Sequence, residues 1–240
     1  IRKMFIPAPG NVLVDADYSQ IELRVLAHIA DDDTMRDAFI DDLDIHTVTA
    51  SQVFDVAPEQ VTALQRRHAK AVNFGIVYGI SEFSLAEDIG VSRFEARNYI
   101  DSYLANYHGV RDYMKQVIAD AREYGYTKTL YGRKRYIPEI KSANYNIRQG
   151  AERIALNTPI QGTAADLIKF AMIRVDQALA ERFPQAKLLL QVHDELIVEC
   201  PQEQAEGVAK LVSEQMQQVA QLTVPLVAEA KWGKSWYEAK

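Results

Sequence analysis

A single cysteine, Cys200, is all the thiol chemistry the sequence holds, so no disulfide framework supports its fold. It closes an apolar, strand-like run, where a buried structural thiol is expected rather than a reactive one. No apolar stretch approaches the roughly 20 residues that a membrane span needs, which excludes a helical membrane protein. Ile1 to Pro9 lack the long apolar core of a secretory signal, and the cytoplasm is the expected location. Internal repeats, low-complexity tracts and flexible linkers are missing too, so solenoids and disordered scaffolds drop out. Basic charge is in deficit, 27 Lys and Arg against 33 Asp and Glu for a formal net charge of −6. That balance argues against a protein that coats nucleic acid along its whole surface.

What is present is ample for a packed core: 240 residues, 48% hydrophobic and 25% charged, enough for one large or two interlocked domains. The charge is segregated along the chain. From Asp15 to Asp44 acids dominate, with only Arg24 and Arg36 against them. Between Lys128 and Arg153 the sign reverses: Lys128, Arg133, Lys134, Arg135, Lys141, Arg148 and Arg153 face only Glu139 and Glu152. This local excess can neutralise several phosphates. One part suits metal ions, the other suits phosphate.

The most informative stretch runs from Gln65 to Ser81 and reads as a helix. Arg66, Lys70, Phe74 and Tyr78 recur in it at four-residue intervals, and each such step drifts only about 40° around a helix, so they share one stripe. The stripe begins cationic and ends aromatic. That suits a ligand with a polyanionic end and a flat end, as a nucleoside triphosphate has. A solvated basic patch beside two core aromatics has the same pattern.

Around this helix, Asn11 to Val14 predicts a buried strand ending in Asp15-Ala16-Asp17 before a helical pattern through Ile29. Asp17 at a strand's end could ligate a hard cation or cap the helix, and local sequence leaves both open. Asp31 to Asp33 reads as a solvated loop with a helix start. Helices follow over Ile45 to Phe54, from Pro58 into the striped segment, and from Ser92, whose spacing to Glu95 fits a capping box. Gly125 is a plausible cap for a helix from Val110 to Tyr124. Thr127 to Leu130 and Arg135 to Ile137 predict a small hairpin, its basic tip either a phosphate contact or merely solvated.

A helix over Ile147 to Leu156 is expected to break at Pro159 and resume from Gly162 to Phe183. Arg153, Asn157 and Gln161 again fall four apart, which suits contacts along a duplex groove or an exposed polar face. Lys187 to Val192 and Leu196 to Cys200 predict a tight hairpin with His193-Asp194-Glu195 at its tip, where acids cost little if they face solvent. Ala205 to Leu222 predicts an amphipathic helix and Val224 to Ala230 a last strand, which Pro225 pushes to an edge. Trp232 and Trp236 are expected to pack. Asp17 and Asp194 thus lie on separate strand tips. Two hard carboxylates from distant segments are what a two-magnesium phosphoryl-transfer site requires.

Three stretches carry a family signature: Asp17-Tyr18-Ser19-Gln20-Ile21-Glu22-Leu23-Arg24, Arg66-x3-Lys70-x3-Phe74-Gly75-x2-Tyr78-Gly79, and Gln191-Val192-His193-Asp194-Glu195. In this order and with these intervening lengths they resemble the three signature motifs of family A DNA polymerases, bacterial members above all. The resemblance covers essentially the whole chain. It implies an α/β (α+β) fold, a mostly antiparallel palm sheet with a helical fingers subdomain inserted, in a right-hand polymerase architecture lacking the thumb. Residues 1–28 and 150–240 would form the palm and 29–149 the fingers.

The resemblance also implies roles. Asp17 and Asp194 match the carboxylates that hold two Mg²⁺ ions, with the backbone carbonyl of Tyr18 facing a metal and Glu195 as an auxiliary acid. Lys70 matches the lysine that contacts the triphosphate and is proposed to protonate pyrophosphate, with Arg66 and His46 as phosphate-binding companions and Gln20 among the nucleotide-binding residues. Phe74 matches the position that packs on the sugar, where phenylalanine implies discrimination against dideoxynucleotides. Glu22, held by Tyr78, resembles the gate against a ribose 2′-hydroxyl. Arg153, Asn157 and Gln161 match residues tracking the minor groove of primer-template DNA, and His193 one near the primer terminus.

The implied activity is DNA-directed DNA synthesis from dNTPs by a monomer. The chain begins just ahead of the first motif, so a thumb, an upstream palm arginine and any exonuclease domain are expected to be missing, with weaker DNA affinity and processivity. Two alternatives stand beside this one. A two-metal nuclease would use the same carboxylates but leaves the triphosphate stripe without a purpose, and a non-catalytic DNA-binding fragment would survive loss of Asp17 unchanged.

Overall fold

The computed structural model describes residues 1–240. In chain order its elements are β1 (Asn11–Tyr18), α1 (Ile21–Ala30), α2 (Asp33–Ile40), α3 (Ile45–Phe54), α4 (Ala63–Val77), α5 (Glu82–Ile89), α6 (Arg93–Asn106), α7 (His108–Tyr124), β2 (Tyr126–Lys128), β3 (Lys134–Tyr136), α8 (Tyr145–Arg182), β4 (Lys187–Val192), β5 (Glu195–Pro201), α9 (Ala205–Gln217), β6 (Ala228–Gly233) and α10 (Trp236–Ala239). They group into two compact units, one of Ile1–Ile21 with Ala164–Lys240 and one of Glu22–Thr163. An antiparallel sheet with a helical insertion is therefore the fold class. No helix is long and apolar enough to cross a membrane.

The first unit is built on a four-stranded sheet in the order β4-β5-β1-β6, every pairing antiparallel. β1 lies inside the sheet, with Val12, Leu13, Val14, Ala16 and Tyr18 all buried. Strand alternation sorts its side chains onto two faces. Leu13 packs with Ile197 and Trp236 on one, and Tyr18 reaches the other, where its hydroxyl donates to the Met216 carbonyl at the end of α9 at 2.6 Å. Asp15 and Asp17 share the Leu13 face. The second unit packs α3 against α4 and α6, and α5 against α6. Tyr103 and Tyr107 are fully buried there with ring centroids 4.4 Å apart. The β2–β3 hairpin lies against α7, and Ala121, Ile137, Ile140, Ala151 and Ala155 form a further apolar cluster.

β1 carries Asp17 near its end, as expected, and runs one residue further to Tyr18, with partner strands on both sides supplying the hydrogen bonds. Asp17 is therefore a strand residue and no helix cap. Several expectations from the pattern change. Pro58 opens a separate 3-10 turn, Pro58–Gln60, and α4 starts after it, closed by a capping box between Thr62 and Gln65. Pro159 sits inside one continuous 38-residue α8 rather than breaking it.

Asp32 is not solvated. It is buried, caps α2 through the Met35 amide at 3.0 Å and accepts the Gly109 amide at 2.8 Å. The last strand begins at Ala228 instead of Val224, and Trp232 on it is 45% exposed while Trp236 is buried. Cys200 is buried in β5 and its thiol is pushed up to about 11 by burial and by Glu199, as a structural cysteine's should be.

Candidate active site

Two sets of functional side chains are held, one in each unit. In the sheet unit, antiparallel pairing puts Asp17 directly opposite Glu195. Asp194 lies next to Glu195 in the two-residue turn that joins β4 to β5, where His193 takes a left-handed conformation with φ of 53°. The turn is tied to the sheet by the Tyr18 amide, which donates to the Asp194 carbonyl at 3.2 Å. Sequence alone left open whether the acids at this tip face solvent. Glu195 is 2% exposed, because it is already the first residue of β5 and lies opposite Asp17 on β1.

Carboxylates this close raise one another's affinity for protons. Asp194 is shifted upward by burial and then by Asp17. Asp15, two residues before Asp17 on the same face, is pushed up to about 6 by burial and by Glu195, although Trp236 donates its indole N–H to Asp15 Oδ2 at 3.1 Å. Lys240 answers part of this negative charge. Its Nζ donates to Asp17 Oδ2 at 3.3 Å and also to Glu195 Oε2.

The remaining oxygens, Asp15 Oδ1, Asp17 Oδ1 and Glu195 Oε1, are buried without a hydrogen-bond partner. Buried acceptors left open beside an ammonium are what a site for a hard cation presents. No three acidic, histidine or cysteine side chains converge to enclose an ion by themselves. Mg²⁺ does not demand that, since it is usually held by one or two carboxylates with water and substrate phosphate completing its shell. The donor set fits.

In the helical unit, α4 carries the stripe. Arg66 and Lys70 are exposed, Phe74 is half-buried, and Tyr78 stands at the C-cap just beyond the helix rather than within it. The Arg66 guanidinium grips Asp44 in two bonds, Nε to Oδ2 at 2.5 Å and Nη2 to Oδ1 at 3.2 Å. Burial alone would push the Asp44 carboxyl up, but hydrogen bonds from Arg66 and Thr47 outweigh it and hold the group at about 2. Asp44 also caps α3 through the His46 amide.

His46 is buried in the first turn of α3, its ring centroid 5.9 Å from that of Phe74, and burial and the charges of Arg66 and Lys70 bring it down to about 4 despite Asp44. Its Nδ1 lies 3.0 Å from Asn73 Nδ2. The Tyr78 hydroxyl donates to Glu22 Oε2 at 2.8 Å. A cleft of about 430 Å³ opens beside these residues, lined by Phe74, Tyr78, Gly79, Ile80, Asp88 and Arg153. Two glycines of the second motif have packing reasons. A Cβ on Gly75 would meet Ile80 Cγ2 at 2.6 Å, and Gly79 has φ of +65°.

The structure brings Arg153 of α8 to this cleft, while Asn157 and Gln161 continue its row, half-buried and exposed respectively. Gln20 precedes α1 in a left-handed conformation with φ of 54°. Four contributors were missed by sequence reasoning: Asp15, Lys240, Asp44 and Asn73. Asp15 was detectable from strand alternation with Asp17. Lys240 and Asp44 lie 223 and 22 residues from the groups they bind, and nothing in the local pattern connects them.

Comparison with known proteins bears on the family and the fold. The family model described as DNA polymerase family A matches residues 1–238. DNA polymerase I of Bacillus caldotenax is 53% identical over 241 residues, covering all of this chain and 28% of that protein. DNA polymerase I of Bacillus subtilis (strain 168) is 54% identical over 241 residues, covering all of this chain and 27% of that protein. The chain thus spans under a third of the length of the curated relatives it matches. Among solved structures, the POL domain of Pol1 from M. smegmatis, in complex with DNA primer-template and dNTP, superposes with a TM-score of 0.94 at 43% identity, covering all of this chain and 42% of that one.

Proposed function

The chain belongs to DNA polymerase family A, and from that membership we propose that it carries out the chemistry of template-directed DNA synthesis. A primer 3′-hydroxyl attacks the α-phosphate of a dNTP, and pyrophosphate leaves. Residues 1–28 and 150–240 act as palm and 29–149 as fingers, in a monomer that takes primer-template DNA, dNTPs and Mg²⁺. The observation that carries this reading is the pairing of Asp17 with Glu195 beside Asp194, with carboxylate oxygens left open.

Bound Mg²⁺ would neutralise the triphosphate and align the attacking and leaving oxygens. Asp17 and Asp194 would supply hard carboxylate oxygens for it, the Tyr18 carbonyl would add a neutral one, and Glu195 shapes the charge around them. On α4, Lys70 meets the triphosphate and gives a proton to the departing pyrophosphate. Arg66 exchanges Asp44 for a phosphate, and His46 adds a third donor. Phe74 packs against the sugar, and Glu22, fixed by Tyr78, closes the space a 2′-hydroxyl would occupy, with Gln20 nearby in the nucleotide's contacts. Arg153, Asn157 and Gln161 follow the minor groove and His193 meets the primer end.

Extension of a labelled primer with Mg²⁺ and dNTPs at low salt tests the reading. Template-coded products are expected from the native chain. Asp17→Ala and Asp194→Ala should abolish them while barely weakening binding of primer-template, and Lys70→Ala should slow synthesis by about 10² or more, as loss of a general acid does. A folded native chain that binds primer-template yet extends nothing would reduce the role to DNA binding. DNA degradation without dNTPs would point to a nuclease.

A further inference from the structure

His46 is buried, and the charges acting on it are those of Asp44, Arg66 and Lys70. Burial disfavours a protonated imidazole there more than Asp44 favours it, and a neutral one must offer its single N–H in the right direction to hold an anion. Which nitrogen keeps that proton is decided by the partner of the other one.

The chain supplies that partner through a buried relay. Tyr107, fully buried, has its phenol shifted upward by burial and remains a protonated donor. Its oxygen lies 2.8 Å from Thr49 Oγ1, which in turn donates to Asn73 Oδ1 at 3.1 Å. Thr49 has one hydroxyl proton, and with that proton given to Asn73 it must accept from Tyr107. The Asn73 carbonyl oxygen is thereby held toward Thr49, which turns the amide N–H₂ toward His46 Nδ1, 3.0 Å away. An N–H₂ group can only donate, so Nδ1 must accept and the proton sits on Nε2.

We propose that Tyr107, Thr49 and Asn73 are positioning residues that lock His46 as the neutral Nε2–H tautomer, making it an uncharged hydrogen-bond donor to the triphosphate beside Arg66 and Lys70. This rests on the proposed function, which puts His46 on the nucleotide. Four side chains from α3, α4 and α6 with its C-cap meet in this relay. None of Tyr107, Thr49 and Asn73 is exposed, so the relay acts through His46 and not by touching substrate.

The test is ¹⁵N NMR of the His46 ring in the full chain at neutral pH, with dATP binding measured on the same samples. The native chain should show the Nε2–H form alone. Thr49→Val should release the Asn73 amide, bring in the Nδ1–H form and weaken dATP binding by about threefold or more, within the range of one net hydrogen bond. Thr49→Ser keeps the hydroxyl and should restore both. A native ring carrying its proton on Nδ1, or in an even mixture, overturns the proposal without any variant. A pure Nε2–H ring in folded Thr49→Val overturns it too. A tautomer shift with unchanged dATP binding removes His46 from the triphosphate, and with it the functional half of the proposal, while primer extension judges the polymerase reading separately.

Discussion

His46 and Asp44 are adjacent in effect and opposite in sign, and together they define how the first turn of α3 responds to acid. His46 is brought down to about 4 in the folded chain from an ordinary 6.5. The unfolded chain therefore takes up its proton first, and the stability tied to a neutral His46 is complete above about pH 6.5 and falls as pH drops toward 4. Asp44, held at about 2 against an ordinary 3.8, contributes stability that is lost only lower, between those two values. Urea unfolding midpoints at several pH values should show the native chain losing ground relative to His46→Gln between pH 6.5 and 4, and no further below that window. The Glu22–Tyr78 bond of 2.8 Å makes a separate prediction. Under the proposed function Glu22→Ala should raise incorporation of rNTPs relative to dNTPs by about tenfold or more, a discrimination of the size one steric or polar contact supplies.

At the level of elements, the junction after α4 is where the stripe is given its shape. Gly75 lets Ile80 fold back against the last turn of the helix, Gly79 makes the left-handed step, and Ser81 caps α5 by accepting from the Ser84 amide. Gly75→Ala would put a methyl 2.6 Å from Ile80 Cγ2. Overpacking of this kind costs about 1–3 kcal/mol, enough to outweigh alanine's better helix propensity. Thermal unfolding should report that loss, and Ile80→Ala in the same chain should recover part of it because the struck side chain is gone. α8 shows the opposite balance. Pro159 removes one amide donor, but Ala151, Ala155, Leu156 and Ile160 around it are buried, and their packing carries the helix through the gap.

For the whole molecule, a net charge of −6 coexists with a basic segment between Lys128 and Arg153. The β2–β3 hairpin exposes Lys128 and Lys134, the latter with its ammonium 4.3 Å from the centre of the Tyr126 ring. Arg133 is committed to the Gly162 carbonyl at 2.8 Å and Arg135 reaches Thr158 Oγ1 at 3.4 Å. Lys128 and Lys134 are thus the residues of the hairpin to test. Each phosphate contact contributes about 0.9 to the slope of log affinity against log salt. Under the proposed function, Lys128→Gln with Lys134→Gln should therefore flatten the slope for primer-template binding by about 1.8, with little change between template sequences. Anisotropy titrations across a salt series measure it, and an unaltered slope would remove the hairpin from the DNA interface.

The sequence by itself determined the family, the class of fold and the stripe on α4, because motif order and four-residue periodicity are local properties that survive being read in one dimension. It also placed two helix caps, Ser92 with Glu95 and Gly125, since each acts within a single turn. It left the burial of Glu195 open and misjudged Asp32 and Pro159. Each of these depends on partners beyond the local pattern: strand β1 opposite β5, the Gly109 amide, and the apolar packing around α8. Only the tertiary structure decided that Lys240 answers Asp17 and Glu195, that Asp44 holds Arg66, and that Thr49 and Tyr107 reach His46 through Asn73. Charges and hydrogen bonds act over a few ångströms of space whatever the number of residues between them, and that distance is what a sequence does not carry.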